Sequence, residues 1–209
     1  MSQPPSNFAS TFRPGRPGQA TLLLLHGTGG NEHDLVPIAE RVLPGASLLG
    51  VRGQVSEGGA LRFFRRHAEG VLDLDDLRWR ADGLATWLRA QMAERGLTQV
   101  IALGFSNGAN VASALLFQHP GLLAGAALLR PMAIYDPVSV PALGGTRVLL
   151  SAGRADPLVP VRQVEALASQ YRAARADVTL AWQSAGHALA TGDLATMAGF
   201  LGPWAPSAG

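Results

Sequence analysis

The chain contains no cysteine and no lysine. The first absence excludes a disulfide framework, a thiol nucleophile and any cysteine-held metal, and it leaves the redox compartment open. The second excludes a Walker-type phosphate loop, which needs a lysine behind its glycines. Long apolar runs are also missing. The longest near the N-terminus is Leu22 to Leu25, far too short to span a bilayer. The opening stretch, MSQPPSNFASTFRPGRPG, has none of the apolar character that a secretory signal requires. A cytoplasmic protein without stable membrane association is the expectation.

Charge of one sign is not in real excess. The pI is near 9.9, yet the net charge is only +2. All seventeen basic residues are arginine, which hardly titrates, and they are scattered apart from Arg62, Arg65 and Arg66. A phosphate-binding face needs a concentrated basic stripe, so no nucleic-acid partner is expected. The five histidines (26, 33, 67, 119 and 187) contain no pair at four-residue spacing and no H-E-x-x-H. No metal site is therefore expected. His33 and Asp34 read instead as the start of a helix and His119, before Pro120, as the end of one. His67 carries no reading.

What is present is a globular composition. Hydrophobic residues make up 47% of 209 and charged residues 15%, which suits a single domain with a substantial core. After a Pro/Gly-rich arm over 1–19, strand-length apolar runs recur at 21–27, 47–51, 100–105, 126–130, 147–153 and 177–182. They show little polar alternation, as strands covered on both faces should. Between them lie amphipathic patterns. Leu74, Leu77, Ala81, Leu84, Leu88 and Met92 form one stripe, with Asp76, Arg78, Arg80, Asp82 and Arg89 on the wet face. Asp73 reads as its N-cap and Gly96 as its stop. A second helix is expected from Asn107 to Gln118. A third opens at Pro160 and turns Val164, Leu167, Ala168 and Tyr171 inward. Such alternation predicts an α/β fold with a mostly parallel sheet and helices on both faces. Its ligand edge lies along the C-terminal strand ends. Two long connections, 52–72 and 131–145, should overhang that edge as active-site loops.

Gly104-Phe105-Ser106-Asn107-Gly108 reads G-x-S-x-G between a strand-like and a helix-like run. A sharp strand-to-helix turn would present the Ser106 hydroxyl, and the flanking glycines remove side chains that would collide there. The alternative is that Ser106 only caps the helix. Asp156 follows the next strand but one, and His187 follows the last, so the order is Ser…Asp…His. Hydroxyl, imidazole and carboxylate are the parts of an activated nucleophile, with Asp156 fixing the tautomer of His187. The bland alternatives are a capping Asp156 and a loop histidine. The loop His26-Gly27-Thr28-Gly29-Gly30 offers the Thr28 N–H, and the helix start offers the Asn107 N–H, as oxyanion donors.

These segments resemble the phospholipase/carboxylesterase family of α/β-hydrolases, which includes bacterial carboxylesterases and acyl-protein thioesterases. The matching stretches are LLLLHGTGGNEHDLVPIA, VRGQVSEGGALRFFRR, ALGFSNGANVA, LSAGRADPLVP and SAGH. The likeness is greatest to a bacterial branch of small serine hydrolases. The resemblance implies Ser106, Asp156 and His187 as triad, Thr28 and Asn107 as oxyanion donors, no large cap domain and a homodimer. Thioesterase-type members carry Gln where this chain has Asn107, which argues against carrying over the thioester substrate.

The expected activity is hydrolysis of small or short-chain carboxylic esters through an acyl-enzyme, with no cofactor. Thioester or lysophospholipid hydrolysis is one alternative, and a non-catalytic α/β-hydrolase scaffold is another. Within 57–66, Phe63 and Phe64 are expected to line an apolar pocket, and Arg62 or Arg65 to meet an anionic group. The competing reading sends a phenylalanine to the core and the arginines to solvent.

Overall fold

The computed structural model describes residues 7–134 and 141–205. Its centre is a seven-stranded sheet. The strands are β1 (Ser10–Arg13), β2 (Thr21–Leu25), β3 (Ser47–Val51), β8 (Val100–Phe105), β9 (Gly125–Leu129), β10 (Arg147–Gly153) and β11 (Asp177–Gln183). In space they run β1-β3-β2-β8-β9-β10-β11. Every neighbouring pair is parallel except β1 with β3. The strand order reverses between β2 and β8, the switch point at which α/β sheets open a crevice.

Side chains of a strand alternate between faces, and the four leucines of β2 divide accordingly. Leu23 and Leu25 join a core with α2 (Leu74–Arg95), α3 (Asn107–Gln118) and α4 (Val161–Ala173). Leu22 and Leu24 join a second core on the other face with α1 (Val36–Val42) and α5 (Thr191–Leu201). All four are buried, at about 1.5–3 kcal/mol of transfer free energy each. This double cover explains why the strands read as unbroken apolar runs.

Helix α2 starts where Asp73 accepts the Asp76 N–H at 3.0 Å and ends at Gly96 in the left-handed region, φ 65°. Leu77, Ala81, Leu84 and Leu88 are buried along it, whereas Leu74 is partly exposed. Asp76 departs from its place on the wet face. Its carboxylate is buried, accepting the Arg65 N–H at 2.7 Å and Arg80 Nε at 2.9 Å. Helical period assigns a face, but it cannot foresee that a loop will fold over that face.

The two flanking segments are also more ordered than their composition suggests. Residues 10–13 of the N-terminal arm form the antiparallel edge strand β1. The 52–72 connection folds into two small hairpins, β4 (Val55–Glu57) with β5 (Ala60–Arg62), and β6 (Arg66–Ala68) with β7 (Val71–Leu72). The other long connection, 131–145, lies partly outside the described residues.

Replacing Asp76 with alanine would leave the Arg65 N–H and the Arg80 guanidinium short of an acceptor. The expected cost is about 2 kcal/mol, read as a lower urea midpoint at unchanged m-value. An unshifted midpoint would show that the buried carboxylate does not hold this loop to α2.

Candidate active site

Strand β8 passes into α3 through one residue, Ser106, at φ 53° and ψ −112°. Positive φ is costly for a residue with a Cβ, so the surroundings must impose it. The Ser106 N–H donates to the Leu129 carbonyl at 2.8 Å, and its carbonyl accepts the Asn110 N–H at 3.0 Å. A Cβ on Gly104 would lie 2.6 Å from the Gly108 carbonyl oxygen, and one on Gly108 would collide with the Leu25 carbonyl. Only glycines allow the helix to approach this closely. Ser106 makes no side-chain cap bond to α3. Its Oγ lies instead 2.8 Å from His187 Nε2.

His187 follows β11, and its Nδ1 lies 2.8 Å from Asp156 Oδ2. The Asp156 side chain is 1% exposed. Its other oxygen accepts the N–H groups of Leu158 at 2.8 Å and Val159 at 3.1 Å, in the turn ahead of α4. One carboxylate thus orders its own turn and faces the imidazole. An acceptor-only carboxylate suits a proton on Nδ1, which leaves the Nε2 lone pair toward the Ser106 hydroxyl. The Phe105 ring packs 5.5 Å from the imidazole. This geometry can draw the hydroxyl proton onto an imidazole whose positive charge is then faced by a carboxylate.

Thr28 and Asn107 border the same cavity of about 290 Å³ as Ser106 and His187. Asn107 is the first residue of α3, so no helical carbonyl lies a turn behind its N–H. Its side-chain Oδ1 accepts the Phe63 N–H at 2.7 Å, which ties the helix start to the 52–72 segment. The Thr28 loop is tied to the same segment. The Gly29 N–H donates to the Leu61 carbonyl at 2.8 Å, and Arg62 Nη1 donates to Thr28 Oγ1 at 2.7 Å. Beneath the loop, His26 bonds the Gly27 carbonyl through Nδ1 at 2.6 Å and accepts the Gly53 N–H through Nε2 at 2.9 Å. That pattern requires neutral imidazole, and burial lowers the His26 pKa, outweighing the backbone bond and nearby acids that raise it.

The residues expected in the substrate wall divide. Phe63 and Phe64 are buried in the core with Leu25 and Leu77 and do not border the cavity. The Phe63 backbone is held by Asn107, and its ring lies 4.8 Å from the His26 ring. Arg65 also stays outside, because it reaches back to Asp73 and Asp76 at 3.4 Å. Arg62 does border the cavity, with Arg66 beside it. Burial lowers the Arg62 pKa, Glu57 opposes this and Arg66 adds to it. The apolar wall comes from Leu72, Phe105, Met132, Leu158 and Val159. Leu158 and Val159 stand in a segment read only for its acid. Met132 is placed by its N–H, which donates to Asn110 Oδ1 at 2.8 Å. No local pattern marks these as wall residues. Among the described residues no group of three or more His, Asp or Glu side chains is arranged to hold a metal ion.

The chain is similar to known proteins along most of its length. Residues 76–196 match the Dienelactone hydrolase family. The putative hydrolase MhqD of Bacillus subtilis (strain 168) is 44% identical over 170 residues, covering 80% of this chain and 85% of that protein. A carboxylesterase from Bacillus cereus superposes with a TM-score of 0.91 at 39% identity, covering 94% of each chain. A carboxylesterase from Mesorhizobium loti does so at 0.87 and 32%, covering 93% of this chain and 94% of the other.

The neutral His26 has a consequence for stability. A histidine with a depressed folded pKa contributes stability above its unfolded value and loses it as pH falls toward the folded value. The melting temperature should therefore drop as pH is lowered from about 6.5 toward 5. His26→Gln, which keeps a donor and an acceptor but cannot titrate, should flatten that slope. Equal slopes in both proteins would remove His26 as the cause.

Proposed function

Because this chain belongs to the dienelactone hydrolase family, we propose that it cleaves small carboxylic esters through an acyl-enzyme on Ser106. It is a hydrolase of the carboxylesterase type with an α/β-hydrolase fold. The observation that carries the finer reading is the pair of 2.8 Å contacts joining Asp156, His187 and Ser106.

In this mechanism Ser106 Oγ attacks the ester carbonyl while its proton passes to His187 Nε2. Asp156 faces the resulting imidazolium. The tetrahedral oxyanion is held by the N–H groups of Thr28 and Asn107. Collapse breaks the bond to the alcohol oxygen, which leaves with the proton from His187. Water then enters, gives a proton to His187 and attacks the acyl carbon. The carboxylic acid is released, and the proton returns to Ser106. No cofactor takes part.

Two features bear on substrate. The cavity, at about 290 Å³, stands at the small end of ligand pockets, which favours short acyl and alcohol groups over a lipid chain. Its walls carry Arg62 and Arg66 but also Glu69, and Glu57 pairs with the two arginines at 3.6 and 3.1 Å, so the apolar side rather than an uncompensated positive charge sets the preference. A binding scaffold without activity gains nothing from a serine kept at positive φ, whereas a nucleophile does.

Ser106→Ala should lower p-nitrophenyl acetate turnover by about a thousandfold or more, and Asp156→Asn by a similar order. A fluorophosphonate probe should label the native chain and not the Ser106 variant. Full turnover by Ser106→Ala would end the proposal. Across p-nitrophenyl esters, kcat/KM should be highest for acetate to butyrate. A maximum at long acyl chains would overturn the small-substrate reading.

A further inference from the structure

The Ser106 mechanism makes no use of Arg130, the largest fully buried side chain among the described residues. Arg130 follows β9 with φ 56°, and its N–H donates to the Ser151 carbonyl at 2.8 Å. Its side chain is 0% exposed. A guanidinium has five N–H bonds, and here there are five acceptor contacts. Nε donates to the Gly186 carbonyl at 3.0 Å. Nη1 donates to the Ser151 carbonyl at 3.2 Å and Asp193 Oδ1 at 2.9 Å. Nη2 donates to the Ala188 carbonyl and Asp193 Oδ2, both at 2.8 Å.

Arg130 borders the cavity, but with every guanidinium N–H engaged its charged group has no donor left for a substrate. Two of its acceptors, Gly186 and Ala188, stand immediately before and after His187. Asp193, in the first turn of α5, holds the guanidinium bidentately. It also accepts the Ser151 hydroxyl at 2.6 Å and the Ala190 N–H at 2.7 Å. Burial pushes the Asp193 carboxyl up, but bonds from Arg130, Ala190 and Ser151 leave it below its ordinary value. The Asp193 carboxylate therefore stays charged at neutral pH. A buried pair of this kind is costly to desolvate, and apolar residues of similar volume often serve stability as well or better.

We infer that Arg130, held by Asp193, is the positioning residue for the general base: it pins the backbone on both sides of His187 so that the imidazole spans Asp156 and Ser106. The inference rests on the Ser106 reading above. Alignment across hydrogen bonds of 2.8 Å tolerates little drift, since catalytic groups must be held within about 0.5 Å of working geometry. The loop after β11 has its own anchors, Ala155 N–H to the Ala185 carbonyl at 3.1 Å and Arg154 N–H to the Gln183 carbonyl at 2.9 Å. Both lie on the strand side of His187. Arg130 supplies the hold beyond it.

The test compares the wild type with R130K, with the double variant R130M/D193L and with S106A, measuring kcat, KM and thermal unfolding. The double variant removes both charges together and should stay folded. Its kcat for p-nitrophenyl acetate should fall about 10- to 100-fold, as when the outer partners of metal-ligating side chains are lost, with KM changed less than about threefold. R130K keeps the charge but has three donors instead of five, and should recover part of the loss. A folded double variant with kcat within about twofold of wild type would overturn the inference. So would a loss carried mainly by KM, which would mean general distortion of the cavity. If the double variant does not fold, R130K decides. A folded R130K with undiminished kcat overturns the inference, and reduced kcat at constant KM supports it. Inactive S106A beside fully active Arg130 variants would defeat this inference alone, whereas active S106A would defeat the Ser106 mechanism itself.

Discussion

The Ser106 hydroxyl faces the cavity because the first turn of α3 lies directly against the carbonyl end of β2. Gly108 is close enough to the Leu25 and His26 carbonyls that a methyl group would collide with both. The helix can start there only if the chain turns within one residue of leaving β8, which places Ser106 at positive φ. The strain is local, and the cost, about 1–3 kcal/mol for such a residue, is offset by the cores packed on both faces of the sheet. Because β2 and β8 are neighbours at the switch point, the same contact brings the Thr28 loop beside the start of α3.

Buried polar atoms then hold the loops, nearly all of them spent on a backbone partner. His26 bridges Gly27 and Gly53, Asn107 holds Phe63, Asp76 holds Arg65, and Arg62 reaches both Thr28 and the Phe64 carbonyl. Half of these contacts join the loop after β2 or the start of α3 to the 52–72 segment. That segment has no regular pattern in its composition, yet its first hairpin is pinned at Gly53, Leu61, Arg62 and Phe63, and its second at its base through Arg65. A rigid rim suits a small cavity, since its shape then depends on few movable side chains.

Much of the layered fold was legible because its signals are local. The strand-length run at 21–27 contains β2, those at 47–51 and 147–153 coincide with observed strands, and α2 begins after Asp73 and stops at Gly96. Each depends on residues within a turn or a strand of one another. The edge strand β1 was not legible, because its apolar content is slight and its partner β3 lies far along the chain. Helix α5 was missed as well. Phe63 and Phe64 had the composition of a pocket wall, but the Asn107 bond to the Phe63 backbone and the packing under α2 send both rings to the core.

From sequence alone came the order of serine, acid and histidine, each placed after a strand-length run, and hence the edge of the sheet on which they stand. Right-handed crossovers between parallel strands leave little freedom in that placement. Only the folded chain decided which residues face the substrate space and which brace the ones that do. Arg130 looked like the last residue of an apolar strand, and its carboxylate partner lies 63 positions away. A side chain's destination depends on neighbours brought near by the whole packing, and no local period encodes them.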